Sequence, residues 1–229
     1  MPEHPSPTTR EPAAPGIYTR LVMRALYPLW VHGLCHRLAW GVSNRWLRRT
    51  YRLRAGHTHL SVGPGNGAFL RHLPQGVREL HLLDFSPHCL HLAARAVRRR
   101  RGVAVRPHLQ DVLEAWQGLG EGSVDSVDCV MVAHCLPGTS LTDKQVLFSE
   151  AHRVLRPGGR FFGATVLTGG PGVGVNTFAR RLIGAYTRRG WFSNQGDTST
   201  GLVEAVRAFF PDADVRVQGC TGVWVAVKR

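Results

Sequence analysis

The stretch His59-Leu60-Ser61-Val62-Gly63-Pro64-Gly65-Asn66-Gly67-Ala68-Phe69-Leu70 decides the fold. A short apolar run enters a loop with glycine at every second position, and an apolar helical start comes after it. Glycine reaches positive φ at little cost and lets another molecule approach the main chain with no Cβ in the way. In open α/β sheets, a loop of this kind after the first strand lies where nucleotide-like ligands bind. Gly-rich turns are common, so the loop gains meaning from the acids and strands placed downstream of it.

Outward from the loop, Glu79 to Asp84 reads as a second strand ending in an acid, seventeen positions past Gly67. A carboxylate there can accept from both hydroxyls of a ribose. Phe85 is next in the chain and can lie against an adenine face. Ser86-Pro87 opens a helix to Arg100, with Ser86 as N-cap and Pro87 in the first turn. A third strand, Val103 to Leu109, runs into Gln110-Asp111-Val112, where an acid can accept from an adenine amino group. A fourth apolar run, Val127 to Ala133, ends in His134-Cys135-Leu136-Pro137-Gly138. A helix from Asp143 to Leu155, the turn "RVLRPGGR" and a fifth strand, Phe161 to Leu167, come next.

This ordered set resembles the class I S-adenosylmethionine-dependent methyltransferases over residues 55 to 229. The Gly63/Gly65/Gly67 loop is similar to their first motif, Asp84 to their ribose acid, and Asp111 to their adenine contact, with Phe85 and Val112 beside them. The resemblance implies a Rossmann-like, doubly wound α/β fold. Its seven-stranded sheet would be mostly parallel, with an antiparallel C-terminal strand and an N-terminal helical cap. It also implies S-adenosyl-L-methionine as cofactor. One position departs from the pattern: Ser61 stands where the family usually carries an acid that helps order the glycine loop. Ser61 can hydrogen-bond there but brings no charge. The "HCLPG" segment and the "FFGATVLTGG" strand resemble a branch of small bacterial enzymes acting on small molecules.

Further helices are predicted at Ala68 to Leu73, Leu113 to Leu119, Thr177 to Arg189 and Leu202 to Phe210. Short strands are predicted at Val215 to Gln218 and Val223 to Lys228. Alternation of strand and helix implies a parallel sheet. Residues 1–16 hold five prolines and little apolar bulk, which predicts a disordered tail. Residues 17–54 carry Tyr18, Tyr27, Trp30, Trp40, Trp46 and Tyr51 and are the candidate cap; the same aromatics would equally fasten helices to a core.

At 229 residues the chain suits a single domain. Leu21 to Val42 is too interrupted by Arg24, His32, His36 and Arg37 to read as a membrane span. The five cysteines show no ligand spacing, so no zinc or other metal site is expected, and their odd, scattered set suits a reducing cytoplasm. The formal net charge of +14 comes almost wholly from arginine. A nucleic-acid partner is one reading; arginines spread over solvated helix faces is the favoured one. The run Arg98 to Arg101 complements a helix C-terminus.

Methyl transfer from a sulfonium is a direct displacement that relies mainly on positioning. His134, just past the fourth strand, is the candidate general base for a phenol or hydroxyl; a loop histidine bonded to nearby backbone is the competing reading. Cys135 precedes Leu136-Pro137, an order that does not match known cysteine nucleophiles of this fold. Asp125 is expected to be structural, and Asp128, inside an apolar run, needs a buried partner. The leading expectation is methyl transfer to a small hydroxylated or phenolic acceptor. RNA or protein methylation, and a cofactor-binding protein that does not methylate, are the alternatives.

Overall fold

The computed structural model describes residues 38–98, 100 and 102–229. The expected tail, most of the expected cap and Cys35 lie outside the described residues.

Seven strands form one sheet: β1 (Thr58–Val62), β2 (Glu79–Asp84), β3 (Ala104–Leu109), β4 (Val124–Val130), β5 (Leu155–Val166), β6 (Asp214–Gln218) and β7 (Thr221–Val227), in the order β3-β2-β1-β4-β5-β7-β6. The first five strands run parallel, and β7 pairs antiparallel with both β5 and β6. This is the expected doubly wound fold. The strand order reverses between β1 and β4, and the region outside their C-terminal ends is where open α/β sheets bind ligands.

Among the described residues five α-helices cover the sheet: α1 (Asn44–Arg54), α2 (Pro87–Val97), α3 (Gln145–Val154), α4 (Thr177–Arg188) and α5 (Ser199–Arg207). Caps set their starts. The Ser43 side chain accepts from Trp46 N–H, Ser86 from Cys89, Asn176 from Ala179 and Thr198 from Gly201. Each satisfies an otherwise orphaned donor, worth about 1 kcal/mol. α1 buries Leu47 and Tyr51, one turn apart, against one sheet face with Leu82, Leu90 and Phe162. The other face packs Leu60, Phe148, Phe161 and Trp224.

Several boundaries depart from expectation. Ala68 to Leu73 forms only a 3-10 turn at Leu70–His72, because Pro74 leaves too few residues for an α-helical nucleus. Leu113 to Leu119 is no helix. Its backbone is satisfied by side chains: Gln110 accepts from Gln117 N–H, Glu150 from Trp116 N–H, and Arg153 donates to the Leu119 and Trp116 carbonyls. β4 begins three residues early and stops at Val130, because Met131 turns left-handed at φ 61°. It is the one non-glycine with positive φ among the described residues, a conformation that stores about 1–2 kcal/mol per residue. The chain then winds into a 3-10 turn at Ala133–Cys135. The Arg156–Gly159 turn is absorbed into a long β5 as an irregularity between its pairings with Val124 and Ser126.

Residues 38–43 cross the turn between β6 and β7. A Cβ on Gly41 would come within 2.7 Å of the Gly219 Cα, so the two backbones touch. The Trp40 carbonyl accepts from Cys220 N–H at 3.2 Å and from Thr221 Oγ1 at 2.8 Å. No helix among the described residues is long and apolar enough to cross a membrane.

Candidate active site

The glycine loop leaves β1 at the switch point. Gly63, Gly65 and Gly67 all have positive φ, at 62°, 54° and 71°. Their reasons differ. A Cβ on Gly63 would strike Val132 at 2.5 Å, and one on Gly67 would strike the Ala93 Cα of α2 at 2.8 Å. A Cβ on Gly65 would meet nothing within 4 Å. Two glycines therefore serve packing, and Gly65 presents bare backbone to open space. The loop is pinned by Gly63 N–H to the Leu83 carbonyl at 2.8 Å and by Gly67 N–H to the Pro64 carbonyl at 2.9 Å.

The candidate nucleoside contacts gather at the neighbouring strand ends. Asp84 closes β2, and its Oδ1 accepts from Ser86 N–H at 2.9 Å. Burial pushes its carboxyl up to about 6, against the pull of that hydrogen bond. Gln110 N–H donates to the Asp84 carbonyl at 3.1 Å, which brings the Asp111 turn alongside. Asp111 Oδ1 accepts from Leu113 N–H at 2.9 Å. Phe85 is exposed directly after Asp84. The Val112 side chain turns into the core, and its carbonyl accepts from the Trp116 indole at 3.1 Å.

Ser61 is fully buried on β1, and its Oγ lies beside the Tyr51 hydroxyl. Across the strand pair its register partner is Asp128 on β4. Asp128 finds the partner that its apolar surroundings demand: Tyr51 Oη donates to Oδ1 at 2.7 Å, and His59 Nε2 lies 2.9 Å from Oδ2. Asp125 has the structural role expected of it, accepting from Thr58 N–H at 2.8 Å and pairing with Arg156 at 2.9 Å.

A second set of groups lies past β4 and β5. His134 is buried in the turn after β4, edge-on to Phe192 at 4.4 Å. Its Nδ1 is 3.3 Å from both the Val166 N–H and Thr165 Oγ1. One tautomer accepts from Val166; the other donates to Thr165 and leaves the basic lone pair on Nε2. The segment 191–197 is stitched over this turn. Ser193 N–H donates to the His134 carbonyl at 2.9 Å, and the Asn194 side chain donates to the Val166 carbonyl at 3.1 Å. Beneath it, Lys144 donates to Ser193 O at 2.8 Å and pairs with Asp197 at 3.0 Å, both side chains fully buried. Burial raises the Asp197 carboxyl to about 6 despite the lysine. Cys135 is no nucleophile: burial pushes its thiol up to about 12.

Sequence reading missed Tyr51, His59, Thr165 and the Lys144–Asp197 pair in their present roles. The one available signal was Lys144, one of only two lysines in the chain. Among the described residues no cluster of three or more His, Cys, Asp or Glu side chains could hold a metal ion.

The glycine loop at the strand-order reversal thus lies beside the acid that closes β2 and the acid after β3. Residues 60–163 match the family described as "Methyltransferase domain". The chain is 32% identical to the demethylluteothin O-methyltransferase of Streptomyces thioluteus, over 91% of this chain and 88% of that one. It is 33% identical to a physcion biosynthesis cluster O-methyltransferase of Aspergillus chevalieri, over 93% of each. Among solved structures, a possible histamine N-methyltransferase of Thermotoga maritima aligns with TM-score 0.65 at 16% identity, over 94% of this chain and 100% of that one. A phosphoethanolamine N-methyltransferase of Haemonchus contortus, in complex with phosphomonomethylethanolamine and S-adenosylhomocysteine, aligns with TM-score 0.65 at 16% identity, over 93% and 58%. The chain belongs to the class I S-adenosylmethionine-dependent methyltransferases. The residues fit that cofactor: Gly65 leaves room for it, and Asp84 and Asp111 carry acceptors for its hydroxyls and amino group. When bound, the cofactor supplies a methyl group activated by a positive sulfonium.

Proposed function

We propose that the enzyme methylates a hydroxyl or phenol of a small secondary-metabolite acceptor. Gly63, Gly65 and Gly67 cradle the cofactor, Asp84 accepts from its ribose, Phe85 lies against its adenine, and Asp111 with the Val112 N–H holds the adenine edge. Ser61 lies beneath the loop. The acceptor sits at the ends of β4 and β5 under segment 191–197. The observation that carries this reading is His134, buried there with Nδ1 3.3 Å from Thr165 Oγ1. The tautomer used is the one in which Nδ1 donates to Thr165 and gives up the bond that it accepts from Val166 N–H, so that Nε2 takes the acceptor's proton. Phe192 and the turn around it exclude water. The O-methyltransferase names of the relatives from Streptomyces thioluteus and Aspergillus chevalieri support oxygen as the atom methylated. The four described cysteines are all free thiols, which suits a reducing cytoplasm.

The test is incubation with methyl-labelled cofactor and a panel of phenols, aliphatic alcohols, amines and generic RNA. Label on oxygen of a small phenol or alcohol is expected. Transfer confined to amines or RNA would overturn the reading.

A further inference from the structure

We propose that Asp128 is the carboxylate that makes the cofactor end of this sheet selective for a cation, a charge that β1 lacks at Ser61. Tyr51 and His59 hold it in place. The proposal rests on the cofactor assignment above and adds a residue to it.

Asp128 is the register partner of Ser61, so the two side chains share a sheet face on neighbouring strands. Neighbouring strands are about 4.8 Å apart, and two residues of strand rise about 6.6 Å. Ser61 is two residues below Gly63, so the Asp128 carboxylate lies one pleat beneath the glycine loop. Its side chain is 2% exposed, and water does not screen it. Ser61, beside it, is equally buried, with its Oγ next to the Tyr51 hydroxyl.

The hydrogen bonds around Asp128 leave its charge intact. Gly56 N–H donates to Ser126 Oγ at 2.7 Å, and Ser126 Oγ lies 2.7 Å from His59 Nδ1. With Ser126 O–H donating to Nδ1, the Nε2–H of a neutral His59 donates to Asp128, and every polar atom of the chain is used. Tyr51 fills the other oxygen, and burial together with the Asp128 charge holds its hydroxyl protonated well above the usual tyrosine range. In that donor arrangement the two groups orient the carboxylate and neither brings a positive charge to it. No lysine or arginine pairs with it among the described residues. A negative charge is thus fixed under the loop in a chain whose net charge is +14. Tyr51 comes from α1, so the helix seated on this face helps set the field at the loop.

S-adenosylmethionine carries one positive charge more than S-adenosylhomocysteine and is otherwise nearly the same shape. The ratio of their affinities therefore reads the field. A unit charge about 10 Å away at an effective dielectric near 20 changes such a ratio about tenfold. Calorimetry with both ligands should be run on the wild type and on Asp128→Asn, Tyr51→Phe, Ser61→Asp and the double variant Ser61→Asp/Asp128→Asn. Asp128→Asn should lower the preference for the sulfonium about tenfold. The double variant should recover most of it, because the charge moves one strand across. Ser61→Asp alone should raise it, and this variant decides the matter if Asp128→Asn does not fold. Tyr51→Phe should lower it two- to threefold. Equal weakening of both ligands by Asp128→Asn, no recovery in the double variant, or a fall with Ser61→Asp would overturn the proposal. A wild type that binds neither ligand would overturn the cofactor assignment instead.

Discussion

The glycine-loop end of β1–β3 and the far ends of β4–β5 are built in different ways. The first is made of short-range devices: three left-handed glycines, the Ser86 cap, and the turns that Asp84 and Asp111 close on residues two positions further on. The second is made of bonds between distant segments: Ser193 to His134, Asn194 to Val166, Lys144 to Asp197. A ligand common to a whole family can be met by turns that short stretches of chain largely shape, joined here by Gly63 N–H to Leu83 and Gln110 N–H to Asp84. A variable ligand is met by a wall that can be reshaped by changing one loop without disturbing the other end.

The largest effect expected from breaking this division is at His134. His134→Ala should lower turnover by about 10²–10⁴-fold, while calorimetry finds cofactor affinity little changed. The wild-type pH–rate profile should rise with pH along a limb that the variant lacks.

Next is the buried pair. Lys144→Ala leaves the Asp197 carboxyl alone in the core, where it must take up a proton or stay buried with its charge unpaired, and loss of one partner of such a pair costs about 3–5 kcal/mol. Urea unfolding should find that loss. In the fraction still folded, acceptor KM should rise more than the cofactor Kd, because Lys144 also holds Ser193.

Within the loop, two glycines should separate packing from binding. Gly67→Ala drives a Cβ into α2 and should cost about 1–3 kcal/mol of stability. Gly65→Ala meets no protein atom, so its strain is limited to about 1–2 kcal/mol from a left-handed alanine. Its main loss should be in cofactor affinity. Thermal melts with and without cofactor distinguish the two.

The smallest effect is a pH dependence at Asp84, whose carboxyl sits near 6. Hydroxyl donors stabilise the carboxylate, so binding lowers that value and releases a proton when the free site is protonated. Affinity should be flat above about pH 7 and fall about fivefold between pH 6 and 5. Asp84→Asn should flatten the curve.

The same division explains which features were legible in the sequence. Glycine spacing, the Ser86-Pro87 cap and the acid after β2 can be read because each acts within a few residues of itself. Residues 113–119 have an apolar pattern that suits a helix, yet their backbone is claimed by Glu150 and Arg153 more than thirty residues away. Met131 bears no mark of its left-handed turn. Asp128 announced only that it needed a partner; that His59 and Tyr51 would supply one depends on strand register and on where α1 lies.

The β6–β7 turn has a consequence for the order in which the molecule is made. β7 sits inside the sheet between β5 and β6, although it leaves the ribosome after both. Until residues 221–227 emerge, the edge of β5 from Arg160 to Val166 has no neighbour. The crossing of Gly41 over Gly219 cannot form either, so Trp40, among the first described residues to be synthesised, is among the last to be seated. A nascent chain can assemble the glycine-loop half early and must hold an open strand beside it until its final turn arrives.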